Sequence, residues 1–297
     1  MNFYRKIATV LVLLLAAGWL KSPWEAAAQK NFVAAGLLSP PLDVATKEKI
    51  GQTCAAVALG GMQSVVATFI NLAAYGSFED RDWPKLEERY NLIVALQPKS
   101  SYYWDVASWH LSYNAAVDYR EREELPAARR EALHKQYIQK GRDFLDRGIQ
   151  NNPQDWTLYS SKGRNYAHKD KFPDFAVAAD AYRLAWQTGK GQRTFEARAW
   201  LYSLARVPGK SQESLDLARE LFRNPQNRVD SIRCLLFALE WQAKGERTME
   251  DLLAQCFEDH KTAAEMLRLY HQNNADQMPQ DGVMVAMQWL KEQDGKQ

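Results

Sequence analysis

From about residue 47 onward, apolar residues recur three and four positions apart, and β-branched residues nowhere keep a sustained two-residue alternation. That period builds one-sided helices rather than strands, so the chain is predicted to be all-α. Leu86, Tyr90 and Ile93 mark one helical face, and Pro98 closes it at spacings of 4, 3 and 5. Trp104, Ala107, Ser108 and Leu111 open the next at spacings of 3, 1 and 3. An aromatic-rich helix, an Ala/Tyr-rich helix and a proline then recur as a phrase along the chain. Asp82-Trp83-Pro84, Leu125-Pro126 and Met278-Pro279 place proline where a first helical turn tolerates it. Pro98, Pro153, Pro208 and Pro225 read as turns between helices.

The phrase resembles, in degenerate form, the tetratricopeptide (TPR) repeat, W-x2-L-G-x2-Y followed by A-x3-F-x2-A and a proline. The third copy carries it most fully. Tyr159, Lys162, Gly163 and Tyr166 hold the first spacing, with Lys162 out of pattern, and Ala178, Tyr182 and Ala185 hold the second. Gly163 is expected to lack a side chain because two helices cross closely there. The resemblance implies a TPR-like helical-hairpin solenoid over 47–297, since such hairpins bury their apolar faces only by stacking. Its repeats fall at about 67–100, 101–155, 156–190, 193–225 and 228–259, and helices near 261–273 and 280–293 close it. The second repeat is long, with Pro153 lying 55 residues after Pro98, against about 34 in the family. Leu59-Gly60-Gly61-Met62, together with the run Ala107 to Asn114, is also similar to a poorly characterised group of bacterial membrane-anchored TPR-like proteins. That likeness implies no activity.

In TPR solenoids one face of each repeat's first helix lines a concave groove. Carried over by position, the first repeat offers Asn71 and Tyr75, the second Tyr102, Asp105, Trp109 and Tyr113, and the third Arg164 and His168. The resemblance therefore implies an aromatic groove of mixed polarity that binds a protein or peptide. It lacks the Lys/Asn/Arg clamp by which chaperone-binding members hold a terminal carboxylate. Trp109 and Tyr113 are equally readable as core, because a helical period alone does not say which face is buried.

The first residues carry an address. Arg5 and Lys6 precede the uncharged apolar run Ile7–Leu20, and Ala26-Ala27-Ala28 supplies small residues at a peptidase site. Residues 1–28 are thus a signal peptide or a signal-anchor helix. The run's 14 residues are short of the roughly 20 that span a bilayer, whereas Trp19, Lys21 and Trp24 suit an anchor. Residues 29–46, with Gly36 and Pro40-Pro41, read as a linker. No charged residue lies between Lys49 and Glu79; a buried pair of short helices is expected there rather than a second span, because polar side chains interrupt it.

Composition removes several functions. Apolar residues make up 46% of the 297 and charged ones 25%, which is ample for a core. The formal net charge of +2 leaves no basic footprint for nucleic acid. His110, His134, His168, His260 and His271 form no ligand pairing, and Cys54, Cys234 and Cys256 no CxxC, so neither a metal nor a cofactor is expected. Cys234 and Cys256 are expected to be buried thiols rather than a disulfide. Gly189-Lys190-Gly191 lacks the rest of a phosphate loop, no GxSxG element occurs, and no catalytic residue is assigned. The excess is aromatic, with ten tryptophans and thirteen tyrosines.

The reading that follows is an exported or membrane-tethered scaffold of the cell envelope. An all-helical envelope enzyme acting on glycans, with sugars stacked on aromatics, is the alternative, and it would need two carboxylates about 5–10 Å apart in one cleft. Export is directly measurable. A C-terminal alkaline phosphatase fusion is expected to be active, and an inactive fusion at normal expression would refute the address.

Overall fold

The computed structural model describes residues 23–24, 27–28, 30–35, 61–191 and 193–294. Most of the signal segment, most of the linker and Cys54 lie outside them. All regular structure among the described residues is helical. The chain divides into two compact units, Met1–Ala107 and Ser108–Gln297.

In the first unit, α1 (Gln63–Glu79) packs on α2 (Trp83–Leu96), and α3 (Ser101–Trp109) begins. Asp82 caps α2 by accepting from the Lys85 N–H at 3.2 Å, with proline in the first turn. Val66, Ala67 and Ala74 of α1 and Leu86, Tyr90, Ile93 and Val94 of α2 are buried. Arg89 of α2 donates to the Ser77 hydroxyl and the Ala73 carbonyl of α1. Of the expected pair of short buried helices, the part before residue 61 lies outside the described residues; Gln63–Glu79 is one helix, and one of its faces is exposed rather than buried.

In the second unit the helix begun as α3 widens into a π segment, His110–Ala115, before resuming as α4 (Ala116–Glu121). Then come α5 (Ala127–Asn151), α6 (Trp156–Ala167), α7 (Phe175–Gln187), α8 (Arg193–Leu204), α9 (Ser211–Phe222), α10 (Asp230–Gln242), α11 (Met249–Cys256), α12 (His260–Asn274) and α13 (Val283–Asp294). Each packs mainly on its sequence neighbour, and α10 also packs on α12. Side-chain caps set several starts: Asp155 on Thr157, Asp174 on Ala176 and Val177, and a reciprocal Thr248–Asp251 capping box. Pro279 does not start a helix. It precedes α13 by four residues, and its carbonyl accepts the Tyr270 hydroxyl at 3.0 Å.

The core of this unit centres on α10, where Ile232 and the run Cys234–Leu239 are buried. Cys234 and Cys256 are both buried free thiols. Burial pushes the Cys234 thiol up to about 12, so it stays protonated and unreactive. Glu240, fully buried on the same helix, is held by Arg219 through two bonds of 2.6 and 2.7 Å, by Arg247 at 2.8 Å and by Gln255 at 2.8 Å. Burial would raise its pKa, but these donors outweigh that and hold the carboxyl below the usual range.

Two glycines mark the closest helix crossings. A Cβ on Gly163 would meet the Tyr182 ring at 2.8 Å, so α6 and α7 approach there only without a side chain. A Cβ on Gly141 would lie 2.6 Å from the Ser112 Cβ and 2.8 Å from the Ser108 carbonyl oxygen. Gly76 meets nothing within 4 Å. The same substitution should therefore act in opposite directions. Gly141→Ala is expected to destabilise by about 1–3 kcal/mol through overpacking. Gly76→Ala should stabilise by about 0.5–1 kcal/mol through helix propensity. Chemical denaturation of both variants checks the pair, and equal effects would refute the close crossing at Gly141.

Candidate functional site

The eight groove candidates divide evenly between the two units. Asn71, Tyr75, Tyr102 and Asp105 belong to the first. Tyr75 and Tyr102 are exposed there, while Asn71 and Asp105 are half-buried. Tyr75 sits 6.4 Å from Phe78, and Tyr102 packs edge-on to Tyr103 at 5.4 Å. Trp109, Tyr113, Arg164 and His168 belong to the second unit, where three of them meet.

That meeting is built from the π segment. Trp109 stacks on Tyr113, with centroids 4.4 Å apart and planes 19° apart, and His168 meets the Tyr113 ring edge-on at 5.6 Å. Trp109 is 49% exposed, so it is a surface aromatic and not core. A π turn carries an extra residue, and such turns recur at functional sites. Here it spaces the Trp109 and Tyr113 rings along one edge. Arg164 is exposed on α6, and its cation favours ionisation of the Tyr182 phenol on α7.

Beneath the rings runs a closed circuit of buried hydrogen bonds. Asn165 donates to the Ser112 hydroxyl at 2.7 Å, and the Asn165 carbonyl oxygen accepts from Arg142 Nε at 3.0 Å. Arg142 also donates to the Lys171 carbonyl at 2.7 Å and the Phe172 carbonyl at 3.3 Å. Lys171 Nζ then donates to the Ser112 carbonyl at 2.8 Å and lies over the Tyr113 ring. Burial, helped by the neighbouring Arg142 cation, pushes the Lys171 ammonium down to about 7. Burial, helped by the Lys171 cation, likewise lowers His168. The cluster therefore presents a neutral imidazole against the Tyr113 ring at physiological pH.

The second unit continues from this cluster into three cavities that share walls. The largest, about 550 Å³, is lined by residues including Lys169, Phe175, Arg206 and Met278. The next, about 250 Å³, shares Arg206 and Met278 and adds Tyr182, Tyr202, Ser231 and Tyr270. A third, about 220 Å³, shares Ser231 and Tyr270. Tyr182 links the aromatic cluster to this series. Burial pushes its phenol up to about 12, with Tyr113 and Glu196 acting on it in the same direction. The Tyr202 and Ser231 hydroxyls pair at 2.7 Å, and Arg206 Nε donates to the Gln277 carbonyl at 2.7 Å. Tyr202, Arg206 and Tyr270 escaped the sequence reading because repeat spacing blurs after residue 190, and Tyr182 was singled out there only as a repeat position. The only signal was their aromatic and cationic character on helices of the right period.

Glu196 is the anomaly of this region. It is fully buried on α8, and neither carboxylate oxygen has a hydrogen-bond partner among the described residues. Burial raises its pKa, and its own backbone N–H offsets that only in part. Among the described residues no group of His, Cys, Asp and Glu could hold a metal ion. No family model, curated protein or solved structure matches the chain.

A carboxyl whose folded-state pKa lies above its unfolded value favours folding in its protonated form. That contribution is full below the unfolded value and is lost as pH rises through the folded one. Glu196→Gln is therefore expected to stabilise the protein at about pH 7 by about 1–3 kcal/mol and to change little at about pH 4. Denaturant midpoints at the two pH values check this, and a loss of stability at neutral pH would show that the carboxylate has an essential partner.

Proposed function

We propose that the protein is a TPR-like helical-hairpin scaffold, exported or tethered to a membrane by its N-terminal segment. It would hold a protein or peptide partner in the cell envelope. The observation that carries this reading is the row of aromatic side chains from Trp109 through Tyr113, His168 and Tyr182 to Tyr202 and Tyr270. The row adjoins cavities in the second unit that share walls. Two features of the fold favour the repeat reading: helices that pack chiefly on their sequence neighbours, and a crossing at Gly163 that admits no side chain. The groove is mixed in charge, with Lys169 and Arg206 beside Asp276 and Asp281. An extended segment with an aromatic or aliphatic anchor and flanking charges of both signs matches that lining.

Partner capture and melting temperature, measured on the same variants, test the reading. Trp109→Ala and Tyr202→Ala in the full chain should each weaken capture from solubilised envelopes by about 2 kcal/mol, as buried aromatic anchors do. Trp109→Ala should leave the melting temperature nearly unchanged, because that ring is half exposed in the free protein. A variant that melts early and loses capture only in proportion to its unfolded fraction would return Trp109 to a structural role.

A further inference from the structure

Helix α1 is apolar on both sides, and only one side is covered. Val66, Ala67, Ala74 and Ser77 are buried in the first unit. Met62, Val65, Phe69, Leu72 and Tyr75, spaced 3, 4, 3 and 3, form a stripe on the other side and are 38–67% exposed. A helix apolar all round is normally enclosed, and an exposed row of bulky apolar side chains marks a contact surface.

We propose that this stripe seats in the boundary between headgroups and acyl chains of a lipid bilayer, with α1 lying in the membrane plane. The proposal goes beyond the groove reading and does not depend on it. Four observations select lipid as the occupant. First, no charged residue lies between Lys49 and Glu79, so the face brings no ion that would have to be desolvated. Second, the exposed Thr68 hydroxyl is returned to the Ser64 carbonyl at 2.9 Å, so a polar group beside the stripe is satisfied within the helix. Third, Tyr75 closes the stripe with its phenol beside Glu79, an apolar body with a polar tip of the kind that collects at headgroup level. Fourth, the stripe exposes on the order of 500 Å², short of the roughly 800 Å² that each partner gives to a standard protein interface. A second copy or a folded partner would therefore be held weakly, whereas an acyl boundary needs no matching shape or hydrogen bonds.

The helix does not cross the membrane; no described helix is long and apolar enough to do so. It lies shallow, about 5–10 Å into the boundary, as interfacial helices do. With no basic residue on the stripe, binding rests on apolar burial and on gaps between headgroups rather than on anionic lipid. The uncharged run Ile7–Leu20 of the same chain has the same preference for a bilayer.

Depth-dependent fluorescence on the full chain tests this, and it reads the stripe itself whatever the N-terminus does. In a Cys54→Ser background, where Cys234 and Cys256 are buried, an environment-sensitive dye is placed at Phe69→Cys or Leu72→Cys. Glu88→Cys, exposed on α2, is the control. The protein is then added to phosphatidylcholine vesicles. Dye at 69 and 72 should shift to the blue and be quenched at least threefold by lipids spin-labelled near the headgroup, unchanged by salt, while dye at 88 stays in water. Emission that shifts without lipid quenching would mean that another protein surface, from this chain or a second copy, covers the stripe, and would overturn the proposal. Dye that stays in water at 69 and 72 would overturn it too. So would quenching confined to anionic vesicles and abolished by high salt, which would move the contact to a charged surface elsewhere.

Discussion

The second unit depends on one buried circuit, Ser112–Asn165–Arg142–Lys171 and back to Ser112. It brings two cations inside a helical domain. Among the described residues no acidic side chain hydrogen-bonds to either; the Asn165 amide oxygen and backbone carbonyls take their hydrogen bonds. Taking a charge out of water costs several kcal/mol, so both must be solvated by what surrounds them. Arg142 manages this well. Its guanidinium reaches Asn165 and two backbone carbonyls, and lies 3.8 Å from the Tyr166 ring centroid. Lys171 has one carbonyl and one aromatic face, and its ammonium is correspondingly easy to deprotonate, near 7. Phe172 completes the arrangement by adopting a left-handed conformation at φ 52, unusual for a non-glycine residue. Such a conformation costs of order 1–3 kcal/mol and persists where its surroundings enforce it. Here it accompanies the turn that presents two consecutive carbonyls to Arg142.

This circuit joins the architecture to the candidate site. Gly141 lets α5 press against the backbone at Ser108 and Ser112, and the π turn accommodates that pressure. The widened turn is where the Ser112 carbonyl takes an outside donor, and its flanks carry Trp109 and Tyr113. The polar interior thus fixes the aromatic exterior. A wholly apolar packing of α5 on this segment would leave those rings free to choose other rotamers. With Lys171 beneath Tyr113, and Trp109 and His168 beside it, the ring is constrained from several sides.

Some of this was legible in the sequence. The helical class followed from the three-and-four period, and Gly163 announced a close crossing because only a steric need explains glycine between Lys162 and Arg164 in a helix. The circuit was not legible. Lys171 sits in the run Lys169-Asp170-Lys171, which looks like solvated surface, and Arg142 lies in a helix rich in charge. Nothing local distinguishes a lysine that turns inward through a left-handed residue from one that stays in water. The π turn was hidden for a related reason. One extra residue in a helix shifts the apolar period by about 100°, and in a segment as aromatic as Trp104–Tyr113 either phase looks buried. Trp109 was therefore readable as core or as groove. The division of the eight groove candidates between two units was equally invisible, since repeat spacing carries no information about where compactness breaks.

Two buried carboxylates show where the second unit has been settled energetically and where it has not. Glu240 lies at the end of the most enclosed helix and meets Arg219, Arg247 and Gln255, so its charge is matched and α9, α10 and α11 are pinned together. Glu196 is as deeply buried but has no hydrogen-bond partner for either oxygen among the described residues, and its electrostatic neighbour is Tyr182, which lines the aromatic row. A packing optimised for stability alone would place an apolar side chain there. Natural sequences tend to keep such inconsistencies beside functional surfaces, where shape or polarity is held at some cost in stability. Glu196 adds a polar strain beside Tyr182, which lines one of the cavities, while the carboxylate of Glu240 on α10 is fully matched. That asymmetry sets the unit's unmatched polar burial next to its cavity-lining aromatics, and not in the core around Glu240.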